Sequence, residues 1–238
     1  ETESTTVYEP WFAAYVDVTS TPEYPFEQLG STATPDAILS FIVSSKTEAC
    51  TPTWGTHYTM DKAGIALDLD RRIARLEQQG GRVAISFGGA INSELAILCQ
   101  DHDALLSAYD SVLQRYNVDT IDLDIEGESL KDTEASKRRA DVIAKLQKQY
   151  RESGKNLAVW LTLPVAPSGL SPEGANAVAQ MLSSGVDLAG VNVMTMDYGA
   201  SRGEGQGMLD ASTSALIETH RQLGVLYKQA GISLNSNS

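Results

Sequence analysis

The chain has 238 residues, 42% of them hydrophobic and 21% charged, with 18 basic against 31 acidic side chains and a formal net charge of -13. This length buries enough apolar surface to fold without relying on metals or disulfides, its ordinary composition excludes disorder and collagen, and no apolar run reaches the ~18 residues of a membrane-spanning helix. So acidic a surface repels phosphate backbones and anionic lipid, which excludes nucleic acid and membrane as partners of choice; it suits a neutral or cationic partner, and solubility alone also accounts for it.

The first six residues, Glu1-Thr2-Glu3-Ser4-Thr5-Thr6, are polar and lack an initiator Met, as expected of a mature or trimmed chain whose signal peptide is gone. Short runs rich in Val, Ile, Leu and Ala follow at 12–18, 38–43, 82–87, 120–125, 157–163 and 188–196, the composition of strands buried on both faces of a parallel sheet. Helical patterns lie between them. Leu105, Tyr109, Val112, Leu113 and Tyr116 keep the 3.6-residue period, as do Ala135, Val142, Ile143, Leu146 and Tyr150 in a charged helix that stops at Gly154. Pro172 and Glu173 open another helix running to Gly185, and a further one covers 210–229.

Repeated strand–helix units predict a parallel sheet covered by helices, either a doubly wound open sheet or a (β/α) barrel. No GxGxxG or P-loop follows the first strand, so the main nucleotide-binding signals of the open form are missing. Neither a linker nor a low-complexity insert splits the chain, and residues 1–238 read as one domain. The histidines His57, His102 and His220 are scattered, with no HExxH spacing, and Cys50 and Cys99 form no CxxC pair. No metal site and no cofactor are expected. Two cysteines are compatible with one disulfide or with two buried thiols.

The most informative stretch is Asp119-Thr120-Ile121-Asp122-Leu123-Asp124-Ile125-Glu126-Gly127. Strand side chains alternate, so Asp122, Asp124 and Glu126 share one face and Ile121, Leu123 and Ile125 the other. The apolar set belongs against helices, which leaves three carboxylates projecting inward. Like charges about 6–7 Å apart in a partly desolvated cavity cannot all ionise freely. At least one pKa rises, and a carboxyl kept protonated near neutrality is what a general acid needs. Glu126 is the candidate, last in the row at the C-terminal end of the strand, where barrel enzymes place their chemistry. The bland readings are the solvated face of an edge strand, against which the Ile/Leu/Ile face argues, and a cation site, whose spacing differs from an EF-hand loop.

The pattern Asp-x-x-Asp-x-Asp-x-Glu on the fourth strand resembles the signature of family 18 glycoside hydrolases, the chitinases and their relatives. Ser86-Phe87-Gly88-Gly89 on the third strand resembles that family's S-x-G-G motif, and Met194-Thr195-Met196-Asp197-Tyr198-Gly199 its sixth-strand motif as found in compact bacterial chitinases. The resemblance runs from about residue 12 to the end of the chain and implies a TIM (β/α)8-type barrel. It also implies a retaining, substrate-assisted hydrolysis of β-1,4-linked N-acetylglucosamine polymers, an exception to the two-carboxylate scheme. Carried over residue by residue, Glu126 protonates the leaving oxygen and later activates water. Asp124 orients the substrate acetamido group that attacks the anomeric carbon, and Asp122 tunes Asp124 through a shared proton. Asp197 matches the Asp of the M-x-Y-D motif and is expected to touch substrate. Met196 stands where many members carry Tyr, so Tyr198 is a candidate to supply that hydroxyl. Tyr15 is a candidate to line the sugar site, with a core tyrosine as the alternative. Thr120 replaces a common glycine, on the outward side, and Ser86, Gly88 and Gly89 are expected to serve close backbone packing.

The resemblance further implies secretion, and with it a Cys50–Cys99 disulfide joining adjacent loops. Strand centres near residues 15, 41, 84, 122, 160 and 192 lie about 35 apart. Eight such units need about 280 residues and a typical barrel about 250. Only about six units are therefore visible, strands 7 and 8 being missing from a domain that reads as C-terminally short, with a polar Asn235-Ser236-Asn237-Ser238 end. No Trp follows Trp160 to serve as the eighth-strand sugar floor, which leaves Trp11, Trp54 and Trp160 or tyrosines for any aromatic platform. An open side exposes parallel edges and apolar core, from which self-association or marginal stability is expected. Two functions compete: a secreted chitinase acting on chitin or chito-oligosaccharide, and a catalytically impaired, lectin-like glycan-binding relative. Retention of Glu126 favours the enzyme.

Overall fold

The computed structural model describes residues 12–31 and 36–233; the polar first residues, Trp11 and the Asn/Ser end lie outside the described residues. In chain order the elements are β1 (Ala13–Asp17), β2 (Asp36–Ser44), β3 (Pro52–Trp54), β4 (Tyr58–Thr59), α1 (Met60–Ala66), α2 (Leu69–Gln78), β5 (Val83–Gly88), α3 (Leu95–Leu98) and α4 (His102–Tyr116). They continue with β6 (Thr120–Asp124), α5 (Gly127–Lys131), α6 (Thr133–Glu152), β7 (Ala158–Ala166), β8 (Gly169–Leu170), α7 (Pro172–Ser183), β9 (Leu188–Met194) and α8 (Met208–Gln229).

The fold is α/β. β1, β2, β5, β6, β7 and β9 pair in that order, all parallel, and correspond to the six apolar runs of the sequence. The short β3–β4 hairpin extends β2 and β8 folds back on β7, both antiparallel. The sheet is not closed: among the described residues β1 pairs only with β2, and β9 only with β7. Its outward residues Leu39, Ile85, Phe87, Ile121, Leu123, Val159 and Leu161 are fully buried beneath the helical layer, as expected of central parallel strands covered by helices.

Local chemistry sets the helix ends. Asp101 and Asp132 accept hydrogen bonds from the backbone N–H of Ala104 and Ala135 at the starts of α4 and α6, and Ser171 from that of Gly174 ahead of Pro172 in α7. α6 ends just before Gly154, which adopts the left-handed conformation expected of it. The helices α1 and α2 and the hairpin are elements that the periodicity reading did not assign.

Two covalent or charged ties bind the outer layer. Cys50, after β2, forms a disulfide with Cys99, which caps α3. Arg139 of α6 and Glu94, at the start of α3, form a fully buried ion pair at 2.8 Å, and the Tyr109 hydroxyl of α4 donates to the same carboxylate. Trp54, fully buried, donates its indole N–H to the Tyr116 hydroxyl at 2.8 Å and is thereby excluded as a sugar platform.

The disulfide spans 49 residues, and closing a loop of that size restricts the unfolded chain. Replacing both cysteines by alanine is expected to lower stability by about 2–4 kcal/mol, seen as a lower urea midpoint with little change in slope. An unchanged midpoint would show that the bond contributes nothing to equilibrium stability.

Candidate functional site

Parallel pairing, in register from Trp160 onward after a shift between β7 and β9, stacks the inward residues of four strands in layers. Ser86, Asp122, Trp160 and Gly190 form one layer; Gly88, Asp124, Thr162 and Asn192 form the next, towards the C-terminal ends. Small residues make room where the interior is narrowest. A Cβ on Gly88 would stand 2.1 Å from the Asp124 carbonyl oxygen, and one on Gly190 would stand 2.3 Å from the Trp160 ring. The ladder continues beyond β6, with Gly89 N–H donating to the Asp124 carbonyl and Ile125 N–H to that of Thr162. The strand therefore remains anchored on both sides up to Glu126.

Asp122 is buried and accepts from three hydroxyls: Ser86 at 2.6 Å, Thr162 at 2.5 Å and Tyr15 at 3.1 Å. Burial pushes its pKa up to about 6, and the same three hydrogen bonds hold it from rising further. Asp124 is also buried, but its Oδ1 has no hydrogen-bond partner. Burial, then the charges of Asp122 and Glu126, push it up to about 8. Glu126 is half-buried at the entrance to α5, and burial raises its pKa as well. The row expected from the alternation is thus present, and its members are unequal: Asp122, with three donors, is the more acidic of the pair, and Asp124 keeps its proton to higher pH.

Tyr15 joins this cluster, its ring half-exposed and its hydroxyl within reach of Asp122 and Thr162. Thr162 and Asn192 were not singled out in the sequence; the available signal was a lone polar residue, at inward parity, inside each of two apolar strands. Ser86, assigned to packing, in fact bonds directly to Asp122. Thr120, expected outward, shares the inward parity of Asp122; it lies half-buried at the opposite end, its hydroxyl on Asp119. Asp197 stands exposed beyond β9 with φ 50, a left-handed conformation that Asp tolerates better than most residues. The structure does not bring Tyr198 to the carboxylates. After the turn at Asp197 its ring is buried against Ala211 and Ala215 of α8, and its hydroxyl donates to Ser212.

No protein-family model matches the chain. The chain is 40% identical over 195 residues to a probable bifunctional chitinase/lysozyme of Escherichia coli (strain K12), covering 79% of this chain and 21% of that protein. It is 37% identical over 195 residues to endochitinase 11 of Metarhizium anisopliae, covering 79% and 36% respectively. The chain thus spans only about a fifth to a third of the curated relatives it matches. Among solved structures, the catalytic domain of a hyperthermophilic chitinase from Pyrococcus furiosus superposes with a TM-score of 0.76 at 28% identity over 94% of this chain and 69% of that one. Catalytic-site mutants of active domain 2 of that organism's thermostable chitinase, complexed with chito-oligosaccharides, superpose with 0.75 at 25% identity, covering 94% and 68%. These relatives agree with the group to which the three sequence motifs point.

The raised carboxyl pKa values fix a sign for stability. Between about pH 4, where an unfolded aspartate titrates, and about 8, where Asp124 titrates in the fold, the folded chain holds protons that the unfolded chain has lost. Stability therefore falls as pH rises through this window. Thermal melts from pH 4 to 8 are expected to show this decline, and Asp124→Asn to flatten it and raise the Tm at pH 8. Parallel curves for the two proteins would overturn the assignment.

Proposed function

We infer that this chain, a family 18 glycoside hydrolase by its motifs and its relatives, supplies the catalytic site of a chitinase, a retaining enzyme acting on β-1,4-linked N-acetylglucosamine polymers or oligomers. The observation that carries the reading is the buried, unpartnered Oδ1 of Asp124 beside an Asp122 that has three donors. A buried acceptor left unpaired is costly, and a substrate acetamide N–H has the chemistry to satisfy it.

In this reading the substrate supplies the nucleophile. Asp124 orients the acetamido group so that its carbonyl oxygen attacks the anomeric carbon while the glycosidic bond breaks. Glu126 gives its proton to the departing oxygen, and Asp124 stabilises the positive oxazolinium ion. Glu126, now ionised, takes a proton from the water that opens this ion with net retention. Asp122 shares the proton of Asp124 and sets its charge. Asp197, exposed beyond β9, is a substrate contact, and the half-exposed Tyr15 lines the sugar site. The chemistry requires neither a metal nor a cofactor.

The finer fold assignment belongs to the same proposal: the six parallel strands are six units of a (β/α)8-type barrel, in a single domain. The strand order and the likeness to the Pyrococcus furiosus catalytic domain support it. Among the described residues β1 and β9 each keep an unpaired edge and α8 exposes Leu209, Leu216, Ile217 and Val225; self-association is expected from these surfaces. Static light scattering tests it; a monomer with a high melting temperature would overturn it. Secretion is proposed alongside, supported by the Cys50–Cys99 disulfide.

The deciding experiment is release of a fluorescent aglycone from a chitobiose or chitotriose glycoside by the chain and by Glu126→Gln. Turnover, reduced at least about 100-fold in the variant, is expected. A folded chain that binds chito-oligosaccharide without turnover would make it a lectin-like relative.

A further inference from the structure

Asn192 of β9 lies outside the three motifs, yet it completes the polar cluster around Asp122. Its side-chain amide nitrogen donates to the Thr162 hydroxyl at 3.2 Å and to the Tyr15 hydroxyl at 3.4 Å. Those two hydroxyls are 3.0 Å apart, and each also contacts Asp122.

The proton count in this cluster is restrictive. Tyr15 and Thr162 carry one hydroxyl proton each. Left to themselves at 3.0 Å, one would donate to the other and leave Asp122 a donor short. An amide nitrogen has two protons and offers no acceptor. Facing both oxygens from the apex of a triangle, it donates to a lone pair on each and leaves their own protons directed at the carboxylate. Ser86, fully buried on the other side, supplies a third proton to Asp122.

We propose that Asn192 is a positioning residue: by donating to both Tyr15 and Thr162 it turns their hydroxyl protons onto Asp122 and holds that carboxyl as the ionised member of the Asp122–Asp124 pair. The pair's proton is thereby kept on Asp124, the residue that faces substrate in the chitinase reading. Neighbouring charges favour the same order from the other side, Asp122 and Glu126 both pushing Asp124 up, but they supply no donor to Asp122. The titratable groups facing Asp122 are Tyr15 of β1 and Asp124 and Glu126 of its own row; Asp17 of β1 is tied to the Thr19 backbone and hydroxyl. The segments β5, β7 and β9 contain no charged residue. On the Asp122 side the split is made by hydrogen bonds.

The inference rests on the chitinase reading for its kinetic consequence, while the proton order itself is measurable without substrate. Asn192 is exposed, so Asn192→Leu removes the donors without disturbing the core. Carboxyl-carbon NMR titration of aspartate-labelled protein is expected to show the lower apparent pKa of the Asp122–Asp124 pair rising by about one pH unit in this variant, the loss of one charge-assisted hydrogen bond. Thr162→Val should do the same, whereas Thr162→Ser, which keeps the hydroxyl, should titrate like the parent. The acid limb of the kcat–pH profile should move upward by the same amount, with KM changed less than about threefold, because the lost interaction acts on the charge of the pair and not on substrate binding. An unmoved titration in Asn192→Leu would overturn the inference and leave the chitinase reading intact. A moved titration in a chain without turnover on the fluorogenic chitobioside would uphold the proton order and overturn the chitinase reading.

Discussion

Two carboxyl groups sit at successive inward positions of one buried strand, and the rest of the structure answers to that constraint. An ionised carboxylate inside a protein is tolerated only when donors surround it. No single strand next to β6 supplies three donors, so they come from three elements: Ser86 on β5, Thr162 on β7 and Tyr15 on β1. Tyr15 lies 107 residues from Asp122 in sequence, and it reaches the carboxylate only because the parallel sheet curves and brings the face of β1 opposite that of β6. The hydroxyls on β1, β5 and β7 answer to one charge that must be solvated by protein, while the small residues at 88 and 190 make room beside it for the Asp124 carbonyl and the Trp160 ring.

The outer shell is built for the opposite purpose. Its buried side chains are mostly apolar, and where the sequence places a charge inside it, as at Arg139, an opposite charge faces it and a hydroxyl donates to that partner. A pair so deep is weak evidence of net stabilisation, but it draws α3, α4 and α6 to one point directly behind β5 and β6. The disulfide ties the same region from the other side. The unpartnered Asp124 oxygen thus lies on a central strand whose outward side chains are fully buried.

What was legible in the sequence followed from periodicity. The six parallel strands announce themselves because burial on both faces demands unbroken apolar runs, and the acidic alternation on β6 because nothing else explains carboxylates between isoleucines. The layer to which each residue belongs depends on the register between strands more than 30 residues apart, which no local pattern encodes. Thr162 and Asn192 therefore passed as isolated polar residues, and Ser86 as a packing residue. Tyr198 lies away from the carboxylates for a different reason. Its place two residues beyond the Met196 position suggested the same orientation, whereas the left-handed backbone at Asp197 turns the chain and sends the ring under α8. The helices α1 and α2 show no clear period because the first is only about two turns of mixed residues and the second interleaves its charges with its four buried positions.

The three acidic residues also differ by depth, and depth assigns them different work. Asp122 lies innermost, where burial would neutralise it, and only its hydroxyl donors keep its pKa near 6. Asp124, one layer nearer the opening, has neither those donors nor full solvation; it lies beside two other acids and so carries the proton. Glu126 has left the strand and stands half-buried, where its pKa rises by burial alone and where, in the proposed chitinase reading, its proton can be exchanged with solvent. A general acid that must be reprotonated belongs at the rim, and a charge that must persist belongs where protein dipoles replace water. The strand's two-residue repeat lays out that series in order, from a fixed anion, through a shared proton, to an exchangeable acid.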